Sequence, residues 1–258
     1  VAWSANFDIP LVSELLTIVA LLSALAALQF RNTCLPRIAF AASFFLAATF
    51  VNSTGGISHP YHAWFWVGAI LALLPNGSVA SMPRAAKMSY LTVFVTAQAV
   101  FMLSYTMAGL WKVTFGIRAM LNGVPGNFTF EALSWTIADR SLQTGTSPLL
   151  ADLIIFNPIL AWPAFVAVMY LQVFAVLAAF RPRLAVTWGY ALIGFHIGNW
   201  LLMDIIFTQH ILLLVLLMVQ SPFAPRSFDA KAFGADLPLF NKFVILKTLM
   251  HRPARGDA

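Results

Sequence analysis

The sequence predicts an all-α integral membrane protein, a polytopic bundle of about seven transmembrane helices with an interfacial amphipathic helix between the fourth and the fifth. Three observations carry this. First, 60% of the 258 residues are hydrophobic and only 9% are charged, with a mean hydropathy of +0.84, more apolar surface than a water-soluble domain can bury. Second, the apolar residues gather into seven segments. Third, the basic residues fall in alternate loops, as the positive-inside rule asks.

The segments lie at about residues 9–30, 38–51, 61–74, 89–111, 149–180, 184–203 and 205–220. The second and third are short against the roughly 20 residues of a spanning helix, so little tilt or a thinned bilayer is expected there. The fifth is interrupted by Asn157-Pro158 and Trp162-Pro163. A proline inside a helix removes a backbone bond, which predicts a kink or a short entry helix before the true span. Only a turn at Asp204 separates the sixth from the seventh, so these two should form a tight antiparallel hairpin.

The longest outer segment is residues 113–148. Gly116, Gly123, Pro125, Gly126 and Asn127 punctuate it, and residues 128–140 then read as an amphipathic helix. Phe130, Leu133, Trp135 and Ile137 make its apolar side, and Glu131, Asp139 and Arg140 its polar side. It is read either as a lid over the outer mouth of the bundle or as a plain membrane-surface helix. Residues 1–221 are thus one transmembrane domain, and residues 222–258 a cytoplasmic basic tail. In the tail, Phe240, Phe243, Val244, Leu246 and Leu249 with Lys242 and Lys247 predict an amphipathic helix on anionic lipid. Val1–Asp8 carry no basic n-region, so the first apolar segment is expected to stay as a helix.

With the N-terminus outside, the inner loops collect Arg31, Arg37, Arg84, Lys87, Arg181, Arg183, Arg226, Lys231, Lys242, Lys247, Arg252 and Arg255. The outer side keeps Lys112, Arg118 and Arg140, so 12 of the 15 lysines and arginines lie inside and 3 outside. The expected orientation is N-out, C-in. Topology thereby explains the net charge of +6, and no nucleic-acid partner is expected. Cys34 is the single cysteine, which excludes an intramolecular disulfide and a CxxC motif.

The remaining ionisable residues fall on the outer side. Lys112 closes the fourth segment without an acid nearby. His59 and His62 precede the third, Asp204 sits in the outer turn, and His210 follows about a turn and a half on. His196 and Asn199 lie one helical turn apart and so share a face. Asp152 opens the fifth segment and Glu14 lies early in the first. Polar groups in membrane segments are costly and mark sites or buried pairings. Several at one depth predict a pocket open to the outer face.

Each has a plainer role beside it. Lys112 either snorkels its ammonium to the headgroups or waits in a partly dry pocket, where desolvation favours the neutral amine and makes it a usable base. His196 can simply bond a neighbouring helix, and Asp204 can be a solvated turn or cap. His59 and His62 can belong to an aromatic belt with Tyr61, Trp64 and Trp66.

Tyr105-x-x-Ala108-Gly109-Leu110-x-Lys112, followed by an amphipathic helix, resembles the core motif of vitamin K-dependent γ-carboxylase and its bacterial membrane relatives, the horizontally transferred transmembrane domain (HTTM) family. Phe195-His196-x-x-Asn199, then an apolar helix ending at Ser221-Pro222-Phe223, resembles the family's later helix pair. A third likeness is the histidine before an aromatic-rich helix, His62 or His59, with Pro75-Asn76-Gly77-Ser78-Val79 after it. The resemblance implies that Lys112 is the base that deprotonates a hydroquinone entering from the lipid, and it associates His62 with the later carbanion step. With His196 these are the implied catalytic residues. His59, Tyr105, Asn199, Asp204 and His210 are the expected pocket for a quinone, and no metal is expected.

The chain departs from the family pattern in that Trp111 stands where the family has a second lysine and Ala80 where an acid is expected. The residues after the last helix are also too few for the large soluble domain that engages a protein substrate. Quinol binding or oxidation, rather than glutamate carboxylation, is therefore the expectation, in a bacterial cytoplasmic (inner) membrane. Two other classes stand beside it. One is a non-catalytic subunit or assembly factor of a larger membrane complex, with other membrane proteins as partners. The other is a metal or haem protein ligated by His59, His62, His196 and His210, for which HxxH and sparse carboxylates are a thin donor set. Transport finds no support, because no paired broken helices stand in corresponding halves.

Overall fold

The computed structural model describes residues 9–30, 32–53, 59–225 and 227–239. In chain order the helices are α1 (Ile9–Gln29), α2 (Leu35–Ser53), α3 (His59–Leu71), α4 (Arg84–Leu121), α5 (Ala132–Thr144), α6 (Ala151–Ile155), α7 (Pro158–Val173), α8 (Ala175–Ala179), α9 (Pro182–Met203), α10 (Thr208–Leu214) and α11 (Ala230–Asp236). A π-helical turn, Val215–Val219, continues α10. Among the described residues there is no strand, so the all-α expectation holds.

Two helices among the described residues are long and apolar enough to cross a membrane: Leu11–Gln29 within α1, and α4. The others are shorter or less apolar, so seven spans do not follow from the helices themselves. The chain gathers into two compact units, Val1–Tyr105 with Ile206–Leu213, and Thr106–Ile205 with Leu214–Ala258.

In the first unit α1 packs along α2 and leaves a broad apolar face uncovered. Leu11, Leu15, Ile18, Leu21, Leu25 and Leu28 are each at least half exposed. An apolar helix face of this length left uncovered needs an apolar solvent or a partner. Aromatic pairs join α2 to α3, with the rings of Phe45 and Phe65 4.6 Å apart. Arg37 donates to the carbonyl of Leu74 at 2.7 Å and to Asn76 Oδ1 at 3.1 Å, tying the start of α2 to the turn that ends α3. Trp64 donates its indole N–H to the carbonyl of Gln209 at 3.1 Å, which is more than membership of an aromatic belt.

In the second unit α5 packs on α7 through Ala132, Phe165 and Met169, with Leu133 against them. Trp188 of α9 is buried and donates to the carbonyl of Leu171 at 2.9 Å. The fifth apolar segment is indeed broken at Asn157-Pro158, and α6 is the short entry helix; Pro163 lies inside α7. A second break at Phe174, between α7 and α8, has no proline or glycine to announce it. There the N–H of Val176 is bonded at 3.0 Å to Thr106 Oγ1, a side chain that supplies an acceptor where the ladder is interrupted.

Four expectations need correction. The fourth helix does not end before Lys112; it runs ten residues past Trp111 to Leu121, and Lys112 stands inside it. Gly116 is no breaker, because its missing side chain makes room for the ring of Phe128, which a Cβ would meet at 3.0 Å. The helix stops where Gly123 takes φ 66°. The amphipathic helix is α5, starting at Ala132 rather than 128, since Gly126–Thr129 forms a turn in which Thr129 N–H bonds to the Gly126 carbonyl at 3.0 Å. Its covered face is Ala132, Ser134 and Ile137, while Trp135 is exposed and Phe130 stacks on Trp162 at 6.4 Å. The seventh segment becomes helical only at Thr208, because Asp204 turns the chain and Ile205–Phe207 follow it as irregular backbone. The tail helix expected at 240–249 lies outside the described residues; α11 precedes it, capped by Asp229, whose carboxylate accepts from Lys231 N and Ala232 N.

Candidate functional site

The polar centre of the second unit forms where α4 meets α7. Gly109 is buried, and a Cβ there would lie 2.5 Å from Val173 N and 2.8 Å from Gln172 Cβ. Only glycine lets the two backbones approach so closely. One turn further along the same face is Lys112. Its Nζ donates to Gln172 Oε1 at 3.0 Å.

Gln172 is only 3% exposed, so its amide must find partners inside the protein or from a ligand. Lys112 is half-buried. Among the described residues the ion pair is Arg183–Asp236, so no carboxylate holds the Lys112 charge. A further clamp comes from the α4–α5 connection. Asn127 Nδ2 donates to the carbonyl of Lys112 at 2.8 Å, and a Cβ on Gly126 would meet Ala119 Cβ at 2.4 Å. The connection therefore lies tight on α4. What results is an amine and an amide, fixed in an apolar helix crossing, able to exchange a proton and to donate hydrogen bonds.

The eight candidate residues divide between the units. Lys112, His196, Asn199 and Asp204 belong to the second, and His59, His62, Tyr105 and His210 to the first. His196 is buried at 3% exposure, with the ring of Phe195 5.1 Å away. Asn199 and Asp204 are brought together through the backbone that ends α9. Asp204 adopts a left-handed φ of 53°, its N–H bonds to the Trp200 carbonyl at 3.0 Å, and the next N–H reaches the Asn199 carbonyl at 3.4 Å. That is a helix-ending motif with aspartate in the usual glycine position, and the Asp204 side chain is exposed.

In the first unit Tyr105 and His210 do meet. Their rings are 6.1 Å apart, and Phe101 and Phe207 stand 5.9 and 5.6 Å from His210. His62 is exposed and lies 3.2 Å from Asn52 Nδ2. The side chain of His59 is outside the described residues. Among the described residues no three of His, Cys, Asp or Glu lie close enough together to hold a metal ion.

Sequence reasoning missed Gln172 and the Asn127 clamp. Gln172 carried a usable signal, a primary amide in an otherwise apolar run, the same property that singled out His196. Asn127 carried none, because its role depends on a helix that outruns its expected end.

No family model, no curated protein and no solved structure matches the chain.

Proposed function

We propose that this is an integral membrane protein that binds and oxidises a quinol, with Lys112 as the base and Gln172 as its partner. The membrane part rests on α1, whose apolar face away from α2 is exposed, and on the length of α4. The finer reading, a bundle of about seven spans, N-out and C-in, is supported by the lysine and arginine distribution, and a bacterial inner membrane by the family resemblance.

The observation that carries the chemistry is the 3.0 Å bond between Lys112 and a buried glutamine, in place of a carboxylate. A lysine tied to a carboxylate would keep its proton; one tied to an amide oxygen can give up the charge and accept a proton from a phenolic hydroxyl. Gln172 retains its amide N–H groups to orient a quinol oxygen. The carboxylase resemblance of the Tyr105–Lys112 stretch points to the same assignment. The deprotonated quinol passes two electrons to dioxygen, the co-substrate that the resemblance implies; the quinol becomes quinone, and dioxygen takes up its two protons, one by way of Lys112, and leaves as hydrogen peroxide.

A non-catalytic subunit of a larger membrane complex is the second reading. It is favoured by Trp111, 73% exposed at the position where the family carries its second lysine. One experiment separates the two. Wild type and Lys112→Ala are purified from membranes, co-purified quinone is quantified by chromatography, and quinol oxidation is assayed with added menaquinol. The enzyme reading expects quinone and activity in the wild type, and neither in the variant despite normal insertion. No turnover in either protein would sink it in favour of the subunit reading, and equal turnover in both would remove Lys112 as the base.

A further inference from the structure

We propose that a cavity beside the first turn of α9 is a binding site for the headgroup of a zwitterionic aminophospholipid. The cavity holds about 230 Å³ and is lined by Arg183, Pro225, Ser227, Phe228, Asp229 and Phe233. It rests on the membrane reading and is independent of the quinol chemistry. The volume equals roughly seven to eight liquid waters, which suits one phosphoethanolamine head without its chains.

Arg183 is the anchor for phosphate. Its guanidinium has five donors in a planar fork that matches phosphate oxygens. Its partner among the described residues is Asp236 at 3.8 Å, beyond hydrogen-bond reach, and its side chain is 59% exposed. Arg181, two residues away, donates instead to the backbone carbonyl of Asp236. Two cations at the start of a 22-residue helix oppose the positive end of its dipole. An anion seated there offsets both.

The remaining lining selects the other end of the head. Asp229 is held in place because one carboxylate oxygen accepts from Lys231 N and Ala232 N, each at 3.0 Å. The other oxygen takes no part in those bonds and can receive an ammonium. A purely anionic headgroup would set its charge against this carboxylate. Ser227 offers a hydroxyl, and Phe228 with Phe233, rings 5.5 Å apart, makes an apolar wall for the glycerol and first methylenes. Phe228 is also 69% exposed, as a residue meeting acyl chains would be. The inner side, where the basic residues collect, is where such lipids present their heads.

The test uses the full chain in detergent with native mass spectrometry, adding phosphatidylethanolamine, phosphatidylglycerol or inorganic phosphate. Wild type should retain phosphatidylethanolamine in preference to phosphatidylglycerol. Arg183→Gln should weaken that binding about tenfold or more, the loss expected for a charge-assisted bond to phosphate. Asp229→Asn keeps the helix cap, since asparagine caps as well as aspartate, and should erase the preference between the two lipids. Arg118→Gln, on α4, should bind as wild type does. Equal retention of both lipids by wild type, undiminished binding by Arg183→Gln, or displacement of the lipid by inorganic phosphate would each overturn the proposal. Lys112→Ala should keep phosphatidylethanolamine even if it loses quinone, so the two readings stand or fall separately.

Discussion

Lys112 Nζ and Gln172 Oε1, 60 residues apart in the chain, are joined at 3.0 Å, and Gly109 is what lets their helices come near enough to meet. Sequence placed Lys112 at a helix end, either reaching headgroups or held in a partly dry pocket. In the structure it is in the interior of α4 and is engaged with α7.

The pair should behave as a coupled unit. Gln172→Leu leaves the amine without its acceptor and should cost about 1–3 kcal/mol, the range for a buried polar group deprived of its partner. Lys112→Met leaves the buried Gln172 oxygen without its donor and should cost a similar amount. The double variant should be more stable than the sum of the two losses allows, by about 0.5–3 kcal/mol. Unfolding by SDS titration, read by tryptophan fluorescence, measures all three, and strict additivity would argue against the bond.

Gly109→Ala puts a methyl group into the backbone of α7 at 2.5 Å from Val173 N. The helices must part, at about 1–3 kcal/mol for overpacking, and the Lys112–Gln172 bond must lengthen. The variant should melt at lower temperature and lose whatever Lys112 does. An unchanged melting temperature would mean that the crossing is looser than described.

Asn127→Ala removes the donor to the Lys112 carbonyl and should cost about 1 kcal/mol. The effect should be local. Backbone amides of residues 122–131 should exchange hydrogen faster while those of α7 and α9 stay protected. Uniform acceleration along the chain would show a global loss instead.

Asp204→Gly tests whether this aspartate is needed for its carboxylate or only for its turn. Glycine takes a left-handed φ without strain, so stability should hold or rise by up to about 1 kcal/mol. A β-branched replacement, Asp204→Val, should cost about 1–2 kcal/mol. If Asp204→Gly folds well but abolishes quinol oxidation, Asp204 belongs to the site after all.

Much of the helical order was legible. The continuous apolar run of α1 and the Asn157-Pro158 break declare themselves in residue type. The Asp204 turn does so too. Where the reading failed, tertiary contacts had overruled local signals. Gly116 looks like punctuation until the ring of Phe128 is packed on it. Phe174 looks like helix interior until Thr106 offers its hydroxyl to Val176 N. The site divides in the same way. Lys112 and His196 stood out as rare polar groups, but that the partner of Lys112 is Gln172 depends on a helix crossing which no local window contains.

The 38 residues of α4 should not all exchange hydrogen on one timescale. The helix is about 57 Å long, against a hydrocarbon layer of about 30 Å. If residues 89–111 fill that layer, the nine residues after Lys112 lie beyond it, covered only on the side that meets the α4–α5 connection. One unbroken helix should therefore keep two clocks. Its inner amides should hold their hydrogens for hours or days, and those of 113–121 should release theirs far sooner. The boundary between slow and fast exchange would fall at Lys112, recording the edge of the membrane in the residue that the rest of the site depends on.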